Sequence, residues 1–153
     1  MIVAGIDASL TSAGVAVLTD GQPAHLSHHG FGGDNHPSDQ KRSRRIRYQE
    51  RLIHQAATSQ GRPDLVLIER PLTIIKSAKV FDRYELCQRL YGDFDWQEIP
   101  VLYVHNTTAK KWISGRGDAQ KPQIVAAVQS WYPTTVIAND DERLVAWETL
   151  RAI

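Results

Sequence analysis

Residues 1–21 read Met1-Ile-Val-Ala-Gly-Ile-Asp7-Ala-Ser-Leu-Thr-Ser-Ala-Gly14-Val-Ala-Val-Leu-Thr-Asp20-Gly21. Met1–Ile6 is a short β-branched run closed by Asp7. Gly14–Thr19 is a second such run. Asp20-Gly21 is a two-residue turn signal, and it leads into a third strand around Ala24–Gly30. An antiparallel meander opens the chain. A carboxylate stands at the end of its first strand.

The rest of the chain alternates. The Gly, Asn and Pro content of Gly30–Asp39 predicts a loop. Ser38 or Asp39 can cap a helix running to about Thr58. Leu65–Ile68 is a buried strand ending at Glu69-Arg70-Pro71, and a helix is expected around Val80–Leu90. Val101–Val104 is a further strand. Thr107 or Thr108 can cap a short helix through Ile113, Gly115–Asp118 is a tight loop, and Lys121–Trp131 is a helix stopped by Pro133. Asn139 or Asp140 opens a last helix. Strands joined by helical crossovers imply a mixed sheet with parallel members covered by helices, an α/β class.

The 153 residues suit one domain, expected to span 1–153. Hydrophobic residues at 42% and charged residues at 23% are enough for a core, which excludes disorder over the whole length. The longest apolar stretches fall far short of a membrane span, and the opening residues lack the basic start of a secretory signal. Cys87 is the only cysteine, so neither an intrachain disulfide nor a Cys-rich zinc site can form. A reducing, cytoplasmic setting is the expectation.

A net charge of +1 hides segregation. Residues 1–40 carry four Asp and no Lys or Arg, whereas residues 41–51 carry six bases and one acid. Residues 107–122 are basic again, and residues 134–153 are acidic. This pattern suits an acidic pocket flanked by basic surfaces.

Three acidic positions draw notice. Asp7 ends the first strand, where the plainer role is a turn former. Glu69 continues a core strand and must find a partner or a metal; the plainer partner is Arg70 or another base. Asn139-Asp140-Asp141-Glu142 opens the last helix, where acids ordinarily cap and favour the dipole. If the fold gathers them, carboxylates are the ligands that Mg²⁺ or Mn²⁺ prefers. Two such ions about 4 Å apart can activate water and stabilise a leaving oxygen in phosphodiester cleavage.

The basic residues fit the same substrate. Lys41, Arg44, Arg47 (or Tyr48) and Arg51 recur at helical spacing on one face, with Arg42 and Arg45 beside them. Ile46, Ile53 and Ala57 fall opposite. Arginine forks onto phosphate oxygens, although a charged face is more often simply solvated. Lys110, Lys111 and Arg116 surround a Gly-Arg-Gly loop that can approach a phosphate closely. His28 and His29 alternate on a strand and cannot easily share a metal. The four scattered tryptophans read as core or interface residues and not as a stacking platform, and Cys87 as a packing residue.

Four stretches together carry a family resemblance: Gly5–Ala16, Leu65–Pro71, Lys110–Lys121 with its continuation to Pro133, and Asn139–Glu142. In order and spacing the chain resembles the RuvC-type Holliday junction resolvases, especially the small versions of bacteriophages and actinobacteria. The resemblance implies a ribonuclease H-like fold: a mixed five-stranded sheet, three strands antiparallel and the rest parallel, with helices on both faces. It implies a homodimeric, Mg²⁺- or Mn²⁺-dependent endonuclease, with two ions per site, that nicks four-way DNA junctions. By carry-over, Asp7 and Glu69 are catalytic and bind metal, Asp141 with its neighbour Asp140 supplies the C-terminal carboxylate, Lys121 is the essential lysine, and Lys110 is a second functional base. Two positions depart from the pattern. Leu144 stands where a second acid is expected, leaving Asp140, Glu142 or Glu148 to compensate. Leu72 stands where an aromatic often wedges the junction centre, so other branched DNA could also be accepted.

Other readings remain open from the sequence. One is a branched-DNA-binding protein of the same fold with weakened catalysis, motivated by Leu144. Another is an actin-like phosphate-binding ATPase domain, which also begins Gly-Ile-Asp but needs two such domains. A third is an RNA-processing nuclease.

Overall fold

The computed structural model describes residues 1–30, 38–71 and 78–134. Three strands come first: β1 (Ile2–Asp7), β2 (Ala13–Thr19) and β3 (Gln22–His29). Helix α1 (Asp39–Ala57), strand β4 (Leu65–Glu69), helix α2 (Ala78–Trp96) and strand β5 (Val101–Val104) follow, then helices α3 (Asn106–Ser114) and α4 (Lys121–Trp131). The sheet order is β3-β2-β1-β4-β5. β1 is antiparallel to β2 and parallel to β4, β2 is antiparallel to β3, and β4 is parallel to β5. Four strands therefore point one way, and β2 alone is reversed. The carboxyl ends of β1, β3, β4 and β5 all open on one edge. In open α/β sheets such an edge is where ligands bind.

The two-residue alternation of the strands sorts the core into two layers. Ala4, Ile6, Val15, Val17, Val66 and Ile68 pack with Ile46, Ile53 and Ala57 of α1 and with Leu86, Cys87, Leu90 and Phe94 of α2. Val3, Ala16 and Leu18 pack on the other face with Ile113 of α3 and Ile124 and Val128 of α4. Helices thus cover both faces of a mixed five-stranded sheet, as expected. Cys87 is a fully buried packing residue.

Helix α1 begins as the sequence implies: Ser38 is its N-cap, and its hydroxyl accepts from the Lys41 backbone N–H. Other boundaries differ. The meander turn is tighter than read, because Asp20 and Gly21 both take positive φ and β3 starts at Gln22. Helix α2 runs past Leu90 to Trp96. Gly92 costs the helix about 1 kcal/mol relative to alanine. Burying Phe94 one turn beyond Leu90 contributes about 1.5–3 kcal/mol, so the helix continues. Helix α3 is capped by His105, without a side-chain bond, rather than by Thr107 or Thr108. Helix α4 carries a reciprocal capping box between Gln120 and Gln123. The last helix expected from Asn139 lies outside the described residues.

Among the described residues, three side-chain pairs join α1 and α2: the ion pairs Arg42–Asp82 at 3.3 Å and Glu50–Arg89 at 3.8 Å, and a His54–Asp93 contact at 3.3 Å. The pairs advance along both helices in the same direction, so the helices lie parallel, and both start near the edge where β1 ends. Trp96, Trp112 and Trp131 are exposed.

Candidate active site

β1 and β4 pair in parallel up to Ile6 opposite Ile68. The next residue on each strand is an acid, Asp7 and Glu69. Adjacent strands are about 4.8 Å apart, so the register alone sets two carboxylates side by side. Both acids are largely buried, at 8% and 6% exposure. Unscreened, such a pair would repel.

The group between them is Arg83 of α2. Its Nη2 donates to Asp7 Oδ1 at 2.6 Å and to Glu69 Oε1 at 3.2 Å. Its Nε donates to the Ala8 carbonyl at 2.8 Å. One nitrogen touching both acids puts those two oxygens within about 6 Å of each other. Burial works to lower the Arg83 pKa, but the charges of Asp7 and Glu69 outweigh it, and the net shift is upward. The sequence leaves Arg70 or another base as the partner of Glu69, and it is another base, Arg83, that pairs with it. The Arg70 side chain instead lies over the Tyr103 ring, 5.6 Å from its centroid. The sequence reading missed Arg83 because nothing in the helical pattern around Val80–Leu90 sets it apart from a solvent-facing base.

Glu69 Oε2 is buried and has no hydrogen-bond partner among the described residues. A buried carboxylate oxygen left open is suited to a hard cation or a water. The pair of acids and this open oxygen therefore fit a divalent ion in part. No group of three or more acidic, His or Cys side chains gathers among the described residues. The third carboxylate was expected from Asp140 or Asp141, and both lie outside the described residues, as do Glu142, Leu144 and Glu148.

Gln49 is a second residue that sequence reasoning missed. It is a fully buried polar side chain on α1. Its amide nitrogen donates to the carbonyls of Ser9 at 2.9 Å and His29 at 2.7 Å. It ties the loop after Asp7 to the end of β3. The same loop meets Gly30, where an added Cβ would lie 2.1 Å from the Thr11 carbonyl oxygen.

The basic residues are distributed as follows. Lys41, Arg44, Arg47 and Arg51 are exposed on one face of α1, and Ile46, Ile53 and Ala57 are buried opposite, as read. Arg42 and Arg45 are half-buried, and Arg42 is engaged by Asp82. Lys111 is exposed and Lys110 half-buried on α3, which starts directly beyond the carboxyl end of β5. Arg116 forks onto Asp118, with contacts of 3.1 and 3.0 Å, so its charge is matched in the free protein. Lys121 is the exposed first residue of α4. Leu72 lies outside the described residues. Thr107, Thr108, Lys111, Trp112 and Gly117 line an open cleft of about 640 Å³. The exposed Trp112 ring beside Lys111 is a flat apolar surface next to a cation.

No family model matches the sequence, and no curated protein matches it. Solved structures do. Thermus thermophilus RuvC superposes with a TM-score of 0.73 at 18% identity, over 99% of this chain and 92% of that one. The same protein in complex with a Holliday junction substrate gives the same values. The yeast mitochondrial Holliday junction resolvase Ydc2 gives 0.63 at 15% identity, over 98% of this chain and 76% of that one. The chain therefore has the ribonuclease H-like fold in the form that RuvC has.

Proposed function

We propose that this protein is a divalent-metal-dependent endonuclease that nicks four-way or other branched DNA, a step of DNA recombination and repair, and that it acts as a homodimer. The observation that carries the reading is the side-by-side placement of Asp7 and Glu69 at the carboxyl ends of two parallel strands, with Glu69 Oε2 open. That placement occurs in the fold of a protein solved with a Holliday junction.

In this reading Asp7 and Glu69 hold metal from the sheet, and Asp140 and Asp141 complete the set. Bound Mg²⁺ or Mn²⁺ would supply an acidified water and a counter-charge for the departing oxygen, most simply as two ions. Lys121 offsets charge that builds on the scissile phosphate. Lys41, Arg44, Arg47 and Arg51 hold a DNA arm by its phosphates, with Arg42 and Arg45 behind them. Lys110, Lys111 and Arg116 grip the backbone near the edge, Arg116 by leaving Asp118. Leu72 wedges the junction centre.

The test is cleavage of a synthetic four-way junction in Mg²⁺. Asp7→Asn should abolish nicking and leave junction binding intact or tighter. Undiminished cleavage by that variant overturns the reading. A second reading, a junction-binding protein without cleavage, is favoured by Arg83, which already neutralises part of the acidic pair. Binding without nicks in Mg²⁺ and Mn²⁺ by the unaltered protein selects it.

A further inference from the structure

We propose that Arg83 is a resident cation of the acidic pair, and that a divalent ion loads only when the guanidinium withdraws. The inference rests on the metal-dependent reading and deepens it.

The argument begins with position. Asp7 and Glu69 are the acids that would hold the ion, and Arg83 already engages one oxygen of each. Among the described residues, Arg83 Nη2 contacts both acids, Asp7 Oδ1 and Glu69 Oε1. An ion bound between the two acids would need oxygens that this guanidinium now holds. Even an ion bound to Glu69 Oε2 alone would face the arginine's positive charge across one carboxylate. Guanidinium and metal therefore compete for the same oxygens.

Arg83 also comes from a different layer. Asp7 and Glu69 share strand parity with Val3 and Leu65, which pack toward α4. α2 covers the other face of the sheet. Arg83 reaches over the carboxyl edge, and its side chain is still 30% exposed, so a path outward exists. The bond from Nε to the Ala8 carbonyl fixes the guanidinium in the bridging pose. Without metal, the arginine relieves the repulsion of the two buried acids. With metal, the same contact must be given up. Arg83 is thus a positioning residue that sets the metal requirement, and its displacement would couple metal loading to movement at the start of α2.

Mn²⁺ binding to the DNA-free protein, read by electron paramagnetic resonance titration, tests this. Arg83→Gln should bind Mn²⁺ at least tenfold more tightly than the unaltered protein. It should melt lower in EDTA and regain more of its melting temperature on adding Mn²⁺. Arg83→Lys keeps the charge but cannot bridge both acids and Ala8, so its affinity should fall between the two. It also serves as the test variant if the glutamine form does not fold. Equal or weaker Mn²⁺ binding by both variants overturns the competition and leaves the metal reading standing. Absence of Mn²⁺ binding in all three proteins overturns the metal reading itself, and the competition with it.

Discussion

Gln49 and Ser9 lie on different elements, and one hydrogen bond of 2.9 Å from the Gln49 amide to the Ser9 carbonyl joins helix α1 to the loop that follows Asp7. The same nitrogen donates to the His29 carbonyl. Gln49→Leu keeps the bulk but leaves both carbonyls without this donor. A buried acceptor left unmatched costs about 1–3 kcal/mol, and removing the unpartnered Gln49 Oε1 offsets part of the loss. A net destabilisation of about 2 kcal/mol is expected in urea unfolding. Gln49→Glu should cost more, because it sets an acceptor and a charge against two carbonyl oxygens. Equal stability of all three proteins would show that the amide ties nothing down.

DNA binding should weaken steeply with salt. Each phosphate contact contributes a slope of about −0.9 in log K against log salt on duplex arms. Replacing Arg44, Arg47 and Arg51 with alanine should make that slope shallower by about 2 to 3 and should not alter metal binding. Arg42→Ala should act differently. Its partner is Asp82, so the larger effect is expected on α1–α2 packing and thermal stability, with a smaller change in slope. Fluorescence anisotropy at several salt concentrations separates the two.

The cleft beside α3 gives a second binding test. Base stacking on an aromatic ring contributes about 1–3 kcal/mol. Trp112→Ala should weaken binding to junctions with unpaired bases more than to fully paired ones, with little change in salt slope. Lys111→Ala should reduce the slope by about 1 on both. Equal losses for Trp112→Ala on the two substrates would exclude stacking.

Cys87 is buried against the sheet, and burial pushes its thiol up to about 12, with Asp7 and Glu69 adding to the rise and Arg83 opposing it. At pH 8 the thiolate fraction is then about one in ten thousand. Labelling by a disulfide reagent should be slow and should accelerate with urea as α2 leaves the sheet. Rapid labelling of the folded protein would contradict the packing of α2.

Burial lowers the His29 pKa below 6.5, and His25 and His28 push it further down. The folded state therefore binds this proton less readily than the unfolded chain. His29 contributes fully to stability above pH 6.5, and the contribution is lost as pH falls through its depressed folded value. Glu50 works in the opposite sense in a more acidic range: burial raises its pKa above 4.5 although Arg89 pulls it down, and that contribution is lost as pH rises through the raised value. His29→Gln should flatten the stability loss between pH 7 and 5.5 in urea titrations. An unchanged pH profile would place the dependence elsewhere.

The fold was legible where periodicity is strong. The β-branched runs ending at Asp7 and Glu69 and the stripe of Ile46 and Ile53 each survive in the structure. Boundaries were less legible where tertiary burial overrides local signals, as at Phe94, which carries α2 past Gly92, and at His105, which caps α3 ahead of two better capping residues. The two acids could be found because a charge at the end of an apolar strand is conspicuous. Arg83 and Gln49 could not. Their roles come from reaching across layers of the fold, and such a reach leaves no period in the sequence.

The approach of Gly30 to the Thr11 carbonyl has a consequence for variation in this protein. No side chain fits there unless the backbone of residues 11 and 12 retreats, and that backbone continues directly from Asp7. A saturation library at position 30 should return glycine alone among active clones, although the residue makes no chemical contribution of its own.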